Sequence, residues 1–197
     1  MWLEIQAIPP ERLDLYARVP IKFEVRSIYR VDPVDGGLGG LRLVEIPVKP
    51  YFKDYDRDDS PLDWPRRFDV SRWGFFLARC GDRIGGAAAV AFDTTGVFML
   101  EARRDLSVLW DIRVRSEFRG AGIALFRHAA RWSRQHGCTQ MKVETQNVNV
   151  PACRFYRRMG CGLGEIRRFG YAAVTGAAHE VMLNWYLDLQ ADPGQAA

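Results

Sequence analysis

Between Ile21 and Val31 apolar and polar residues take turns, with Phe23, Val25, Ser27 and Tyr29 set against Lys22, Glu24, Arg26 and Arg30. A period of two sends the two sets to opposite faces of an extended chain, so this segment is predicted as a strand. Leu41–Val48 is predicted as a second strand, with the glycine-rich Pro33–Gly40 stretch as the turn between them. Tyr51–Trp64 is acidic, aromatic and polar, and reads as an irregular surface loop or short helix. Trp73–Cys80 and Ile84–Phe92 form a strand pair about Gly81-Asp82-Arg83, a hairpin signal. Leu106–Arg115 sorts Trp110, Ile112 and Val114 to one face and Leu109, Asp111 and Arg113 to the other, and is again a strand.

The period then changes. In Gly122–His136 the apolar sets Ile123/Phe126/Ala130 and Leu125/Ala129/Trp132 recur at helical spacing, and Gly137 stands where a C′ residue belongs. Thr139–Thr145 is a strand. Val150–Met159 is a second helix, with Asn149 as N-cap, Pro151 in the first turn and Gly160 as C′. Gly164–Ala172 and His179–Leu187 close the chain as strands. Mainly antiparallel strands followed by strand–helix–strand–helix–strand–strand predict a mixed α/β (α+β) sheet with helices packed on it.

At 197 residues the chain fits a single domain, taken as residues 1–190 with a frayed tail over 191–197. It carries 28 basic and 24 acidic residues. The basic ones are spread along the chain and are nearly all Arg, the lysines being Lys22, Lys49, Lys53 and Lys142. That pattern predicts no nucleic-acid partner, which would call for a clustered basic face. No apolar run is long enough to span a bilayer, Gly86–Phe92 stopping at Asp93, and from Met1-Trp2-Leu3-Glu4, without a basic stretch and apolar block, no secretory signal is expected. A cytoplasmic protein without a membrane partner is expected. Cys80, Cys138, Cys153 and Cys161 have no paired spacing and no His/Cys cluster, so free thiols are expected, with neither disulfide nor metal.

The informative stretch is Arg119-Gly120-Ala121-Gly122-Ile123-Ala124, directly after a strand and opening a helix. Glycine there removes a Cβ, and the free N–H groups and positive end of the helix attract an anion. A tight packing turn has the same local signature, so the hexapeptide alone serves either purpose. It is neither a GxGxxG fingerprint nor a P-loop. Downstream lie Glu144-Thr145-Gln146 and Asn149-Val150-Pro151-Ala152-Cys153-Arg154-Phe155-Tyr156, then Met159-Gly160.

Taken together, these motifs resemble the GNAT superfamily of N-acetyltransferases. Arg119-x-x-Gly122-x-Ala124 is similar to that superfamily's pyrophosphate signature, and Asn149-x-x-Ala152-x-x-x-Tyr156 to its following helix. Glu144-Thr145-Gln146, Ala152-Cys153-Arg154-Phe155-Tyr156, Asp111-Ile112-x-Val114, Pro50-Tyr51-x-Lys53-x-Tyr55 and Trp185-Tyr186-Leu187 resemble the streptothricin acetyltransferase branch. The chain departs from that branch at Cys161, at Trp110 and in the longer Asp93–Arg104 connection.

The resemblance implies a sheet splayed between the Leu106–Arg115 and Thr139–Thr145 strands to admit acetyl-CoA. Arg119, Gly120, Ala121, Gly122, Ile123 and Ala124 would take the pyrophosphate. Ile112, Arg113 and Val114 would hold the pantetheine through their backbones, with the N–H of Val114 on the thioester carbonyl. Asn149, Ala152 and Tyr156 would complete the cofactor site. An amine attacks the thioester directly, so a donor for the oxyanion, a base and an acid are needed, and no cysteine nucleophile. Tyr156 is the candidate acid, although Ala152, Phe155, Tyr156 and Met159 also make a packing face. Glu144 and Asp111 are the candidate bases, or alternatively partners for the acceptor's charge.

Asp54, Asp56, Asp58, Asp59 and Asp63 form an acidic patch suited to a polycationic acceptor, or a solvated loop partly neutralised by Lys53, Arg57 and Arg66. Asp54, Asp56 and Trp110 are taken as the candidate acceptor contacts. The expected activity is acetyl transfer from acetyl-CoA to a primary amine of a small cationic molecule, possible acceptors including streptothricin. The alternatives are a protein or peptide amine as acceptor, or a non-catalytic acyl-CoA-binding module. Apolar strands such as Val181–Leu189 offer an edge for a homodimer.

Overall fold

The run of small and apolar side chains from Gly85 to Phe92 is buried throughout, and forms most of strand β5 (Arg83–Phe92). It pairs antiparallel with β4 (Gly74–Cys80), and the hairpin closes at Cys80↔Arg83 with Gly81 at φ +57°. That positive φ costs glycine nothing and strains any other residue. The computed structural model describes residues 3–57, 59–118 and 120–190; Asp58, Arg119 and the 191–197 tail lie outside the described residues.

By their contacts the residues gather into two units. The first comprises Met1–Lys22, Asp54–Lys142 and Asp188–Ala197. Its strands lie in the order β1 (Glu4–Ala7), β4, β5, β6 (Leu106–Val114), then the start of β7 (Gln140–Gln146). The pairs β1–β4, β4–β5 and β5–β6 are antiparallel, whereas Leu106–Val108 run parallel to Gln140–Lys142. Helix α3 (Ala121–Gln135) packs on β4, β5 and β6. Gly86 lies under it, and a Cβ there would stand 3.0 Å from Leu125 Cδ1. The opposite face carries α1 (Leu13–Tyr16) and α2 (Trp64–Arg67), with Tyr16, Trp64, Trp73, Phe75, Leu77 and Val108 in one buried cluster.

The second unit comprises Phe23–Lys53 and Val143–Leu187. Here β2 (Lys22–Pro33) and β3 (Leu41–Asp54) pair as a ribbon, and the end of β7 is followed laterally by β9 (Met182–Asp188) and β8 (Gly162–Arg167). β8 and β9 are antiparallel. Helix α4 (Val150–Arg158) has Asn149 as its N-cap, the side chain accepting from Ala152 N at 3.2 Å. Asn147 ties the unit together: its amide donates to Tyr29 O at 2.8 Å and its side-chain oxygen accepts from Val181 N at 2.8 Å.

The mixed, mostly antiparallel sheet with helices is the expected class. Several bounds differ. β3 runs on to Asp54, past the expected end at Val48, and short 3-10 turns at Tyr55–Arg57 and Pro61–Asp63 follow in the segment expected to be an irregular loop or short helix. The strand expected over Gly164–Ala172 is Gly162–Arg167 and then gives way to turns, with Phe169 77% exposed where an inward residue would be needed. β1 and α1 were not expected, each being four residues and too short to show a period.

Candidate active site

β6 departs from regular pairing at one point. Ala89 faces Asp111 and Val90 faces Leu109, so Trp110 is the extra residue of a bulge. Bulges re-aim a strand and are common beside active sites. Past the bulge Arg115 N donates to Gly85 O at 2.9 Å, toward β5. Because backbone groups alternate in direction, the N–H groups of Ile112 and Val114 face the other edge of β6. Those are the donors expected to meet a pantetheine and a thioester carbonyl.

The strand leads through Phe118 to the N-terminus of α3. Its N-cap, Gly120, is left-handed at φ 86°, has no side-chain cap, and no acidic residue lies in the first turn. Ala121 N bonds Phe118 O, and Ala124 N bonds Gly120 O. Helix geometry leaves the N–H groups of Gly122 and Ile123 without an i−4 acceptor inside the helix. A helix end that carries its full positive dipole, with no Cβ on its cap and no carboxylate of its own, fits an anionic phosphate. α4 makes the contrast, since its first turn is closed by Asn149.

Asp111 and Arg113 lie at the centre of a buried network. Arg113 donates from Nε to Asp111 Oδ1 at 2.9 Å and from Nη2 to Asp111 Oδ2 at 2.8 Å. Its Nη1 reaches Asp56 Oδ1 at 2.7 Å and Val19 O at 3.0 Å. Tyr16 Oη donates to Asp111 Oδ1 at 2.6 Å. The Arg113 side chain is 0% exposed and that of Asp111 10%, so neither charge is left to water. Burial acts to lower the Arg113 pKa, but the bonds and charge of Asp111 outweigh it and hold the guanidinium ionised. Burial, then the Asp111 charge, pushes the Tyr16 hydroxyl well above its ordinary value, so it stays a donor. Arg113 therefore contributes a buried cation as well as backbone, and Asp111 has both oxygens engaged. Tyr16, 95 residues away in sequence, gave no sign of this.

The acidic patch is differently occupied from what its composition suggests. Asp56 accepts from Arg113 and from Ile21 N, and Asp63 from Arg66. Asp59 accepts from the indoles of Trp64 at 3.0 Å and Trp110 at 3.2 Å, and from Arg67. Asp54 caps Asp56 N and stands 3.8 Å from Arg57. Each of these four carboxylates has a donor within the unit.

In the second unit Glu144 accepts from the Tyr171 hydroxyl. Its neighbour Thr145 is buried and accepts from the Trp185 indole at 3.0 Å. Tyr156 is 4% exposed on α4, with its ring edge to that of Phe155. Gly160, at φ 89°, ends the helix as expected. Glu180 was not foreseen: it is 2% exposed by side chain and pairs with Lys53 Nζ at 2.6 Å.

The three buried thiols are held protonated. Burial pushes Cys153 up to about 11 and Cys161 up to about 12, and raises Cys138 also. A thiol held protonated is no nucleophile at neutral pH. His128 packs edge-on to Phe76 and His136 lies against Trp132, so both serve the helix. Among the described residues there is no group of metal-ligating side chains, and no helix long and apolar enough to cross a membrane.

An uncapped, glycine-led helix following a bulged strand with edge-facing amides fits a phosphate-bearing acyl donor. The chain belongs to the acetyltransferase (GNAT) family, whose model matches residues 41–161. It is accordingly an N-acetyltransferase with acetyl-CoA as its donor. Among curated proteins it is similar to streptothricin acetyltransferase of Escherichia coli, 29% identical over 167 residues covering 83% of this chain and 84% of that protein. Its similarity to streptothricin acetyltransferase of Streptomyces lavendulae is 32% over 149 residues, covering 72% and 73%. The crystal structure of nourseothricin acetyltransferase superposes with a TM-score of 0.73 at 25% identity, over 96% of this chain and 99% of that one.

Proposed function

We propose that the chain acetylates a primary amine of a small cationic acceptor, with streptothricin the first compound to test. The observation that carries this reading is the donor end just described, taken with curated relatives that are streptothricin acetyltransferases. Acetyl-CoA supplies an activated acetyl thioester. In our reading the N–H groups at the start of α3, over Gly120, Ala121, Gly122, Ile123 and Ala124, bind the pyrophosphate. Arg119 joins them on the strength of its motif alone. Ile112 and Val114 hold the pantetheine along the β6 edge, and the N–H of Val114 stabilises the developing oxyanion. Arg113 fixes that edge through its buried network.

The amine nitrogen forms its bond to the thioester carbon as the carbon–sulfur bond breaks. Tyr156 gives its hydroxyl proton to the departing thiolate. Glu144, directly or through water, takes the proton lost by the amine. Asn149 acts through Ala152 by starting α4 and so setting the position of Tyr156. Asp111 we assign to positioning, because both its oxygens are already accepting from Arg113 and Tyr16. Asp56 we assign to the same network, leaving Asp54 and Trp110 as acceptor contacts.

The acceptor is tested by mass spectrometry of reactions with acetyl-CoA and, separately, streptothricin, an N-terminal peptide and an aminoglycoside. Acetylated streptothricin is the expected product. Modification of the peptide alone would overturn the small-molecule reading.

A further inference from the structure

Beside the bulge of β6 lies an open pocket of about 480 Å³ lined by Arg67, Phe68, Val97, Phe98, Met99 and Trp110, with Gly96 between them. This is the size range of small-ligand sites, where apolar and aromatic walls predominate. The polar groups nearby are turned inward on one another. The Trp110 indole N–H donates to Asp59, as does Arg67, whose guanidinium also lies 5.0 Å over the Phe68 ring. What faces the pocket is mainly aromatic and aliphatic surface. Phe68 and Trp110 meet edge to face at 5.3 Å, and Trp110 is backed by Trp73 at 5.2 Å.

The outer wall is the connection from β5 to β6, and it is pinned at both ends. Thr94 accepts from the Trp73 indole at 2.9 Å and donates to Phe92 O at 2.7 Å. Glu101 pairs with the buried Lys142 at 2.7 Å. Three of the chain's left-handed non-glycine residues, Asp93, Glu101 and Ala102, lie in this connection. Such backbone is strained in non-glycine residues and persists where surroundings enforce it, often at ligand sites. Val97 and Leu100 anchor the wall in the core, while Phe98 is 94% exposed. A large apolar side chain held out at the mouth of an aromatic pocket is uncovered surface that an apolar ligand group would bury.

We propose that this pocket receives an aryl or branched alkyl group carried by the acceptor amine, so that the chain acetylates amines with an apolar body and not polycations alone. The inference rests on the acetyl-transfer reading above. The geometry fits it: from Trp110 to Val114 is about 13 Å along an extended strand, and to Ile112 about half that. An amine nitrogen beside Val114 and a ring against Trp110 are thus spanned by an extended alkyl linker of several carbons. The pocket offers no free carboxylate to a second positive charge, since Asp59 is already bonded to two indoles and Arg67.

The test compares kcat/KM for acetyl transfer to 6-phenylhexylamine and to hexylamine, in the wild type and in Phe98→Ala and Met99→Ala. Phe98 is exposed, so its variant keeps the fold. The wild type is expected to favour the aryl amine at least about tenfold, the scale at which an apolar pocket registers even one methylene. Both variants should reduce that ratio several-fold, mainly through KM for the aryl amine. A wild-type ratio near one, or a preference that neither variant changes, overturns the pocket assignment while leaving acetyl transfer standing. Transfer to no amine at all, with acetyl-CoA still raising the melting temperature, sinks the transferase reading and this inference with it.

Discussion

Asp111→Asn separates a structural carboxylate from a catalytic one. Its two oxygens accept from Arg113 at 2.9 and 2.8 Å and from Tyr16 at 2.6 Å, and the Arg113 side chain is fully buried. The asparagine removes the charge facing that guanidinium and turns an NH₂ group toward donors. Arg113 then keeps Asp56 as its remaining carboxylate, at 2.7 Å. Breaking a buried ion pair by removing one partner costs about 3–5 kcal/mol. The residual Asp56 contact and one surviving amide acceptor place the expected loss near the lower end. For a chain of this size that is a fall in Tm of about 6–12 °C. Asp56→Asn, at a site whose side chain is 34% exposed, should cost less. The assay is thermal or urea unfolding of each variant beside steady-state kinetics. If Asp111→Asn unfolds within about a degree of wild type while kcat collapses, the network argument fails and Asp111 is the base.

Gly122→Asp brings a carboxylate to the α3 N-terminus and should abolish the rise in melting temperature that acetyl-CoA gives the wild type by mass action; a folded variant that still shows the shift would contradict the pyrophosphate assignment. Tyr156→Phe should lower kcat by roughly 10²–10⁴-fold with acetyl-CoA affinity little changed, as for loss of a proton donor; an unchanged kcat would return Tyr156 to packing against Phe155. Alkaline stability has a definite sign. Burial lifts Cys153 to about 11 and Cys161 to about 12 from an ordinary value of 9.0, so above pH 9 the unfolded chain loses protons that the folded chain keeps. Their stabilisation is fully present below about pH 9 and declines as pH rises toward 11, by about 1.4 kcal/mol per pH unit for each thiol. Cys153→Ala should flatten that slope in urea titrations between pH 8 and 11, and an unaltered slope would contradict the burial argument.

Local periodicity made much of the architecture legible. Alternation in Leu106–Arg115 and the helical recurrence across Gly122–His136 belong to elements whose one face packs on a core, so the pattern is in the sequence itself. The caps were equally readable, because Asn149, Gly137 and Gly160 act on their own backbone. What stayed hidden depends on residues distant in the chain. Nothing near Asp111 foretells Tyr16, and a count of carboxylates in Asp54–Asp63 does not reveal that Asp56 serves Arg113 or that Asp59 joins two indoles. The bulge at Trp110 is a matter of register with β5, which composition does not encode. Strands of four residues, such as β1, carry too few positions for a period to show.

The most direct test of the central claim is thiol release by the purified chain incubated with acetyl-CoA and a panel of primary amines, followed by mass spectrometry of the amines. The account predicts amine-dependent CoA release matched by one added acetyl group on the consumed amine. Acetyl-CoA binding with no amine-dependent release from any member of the panel would contradict it, and would make the chain a binding module that kept the fold without the reaction.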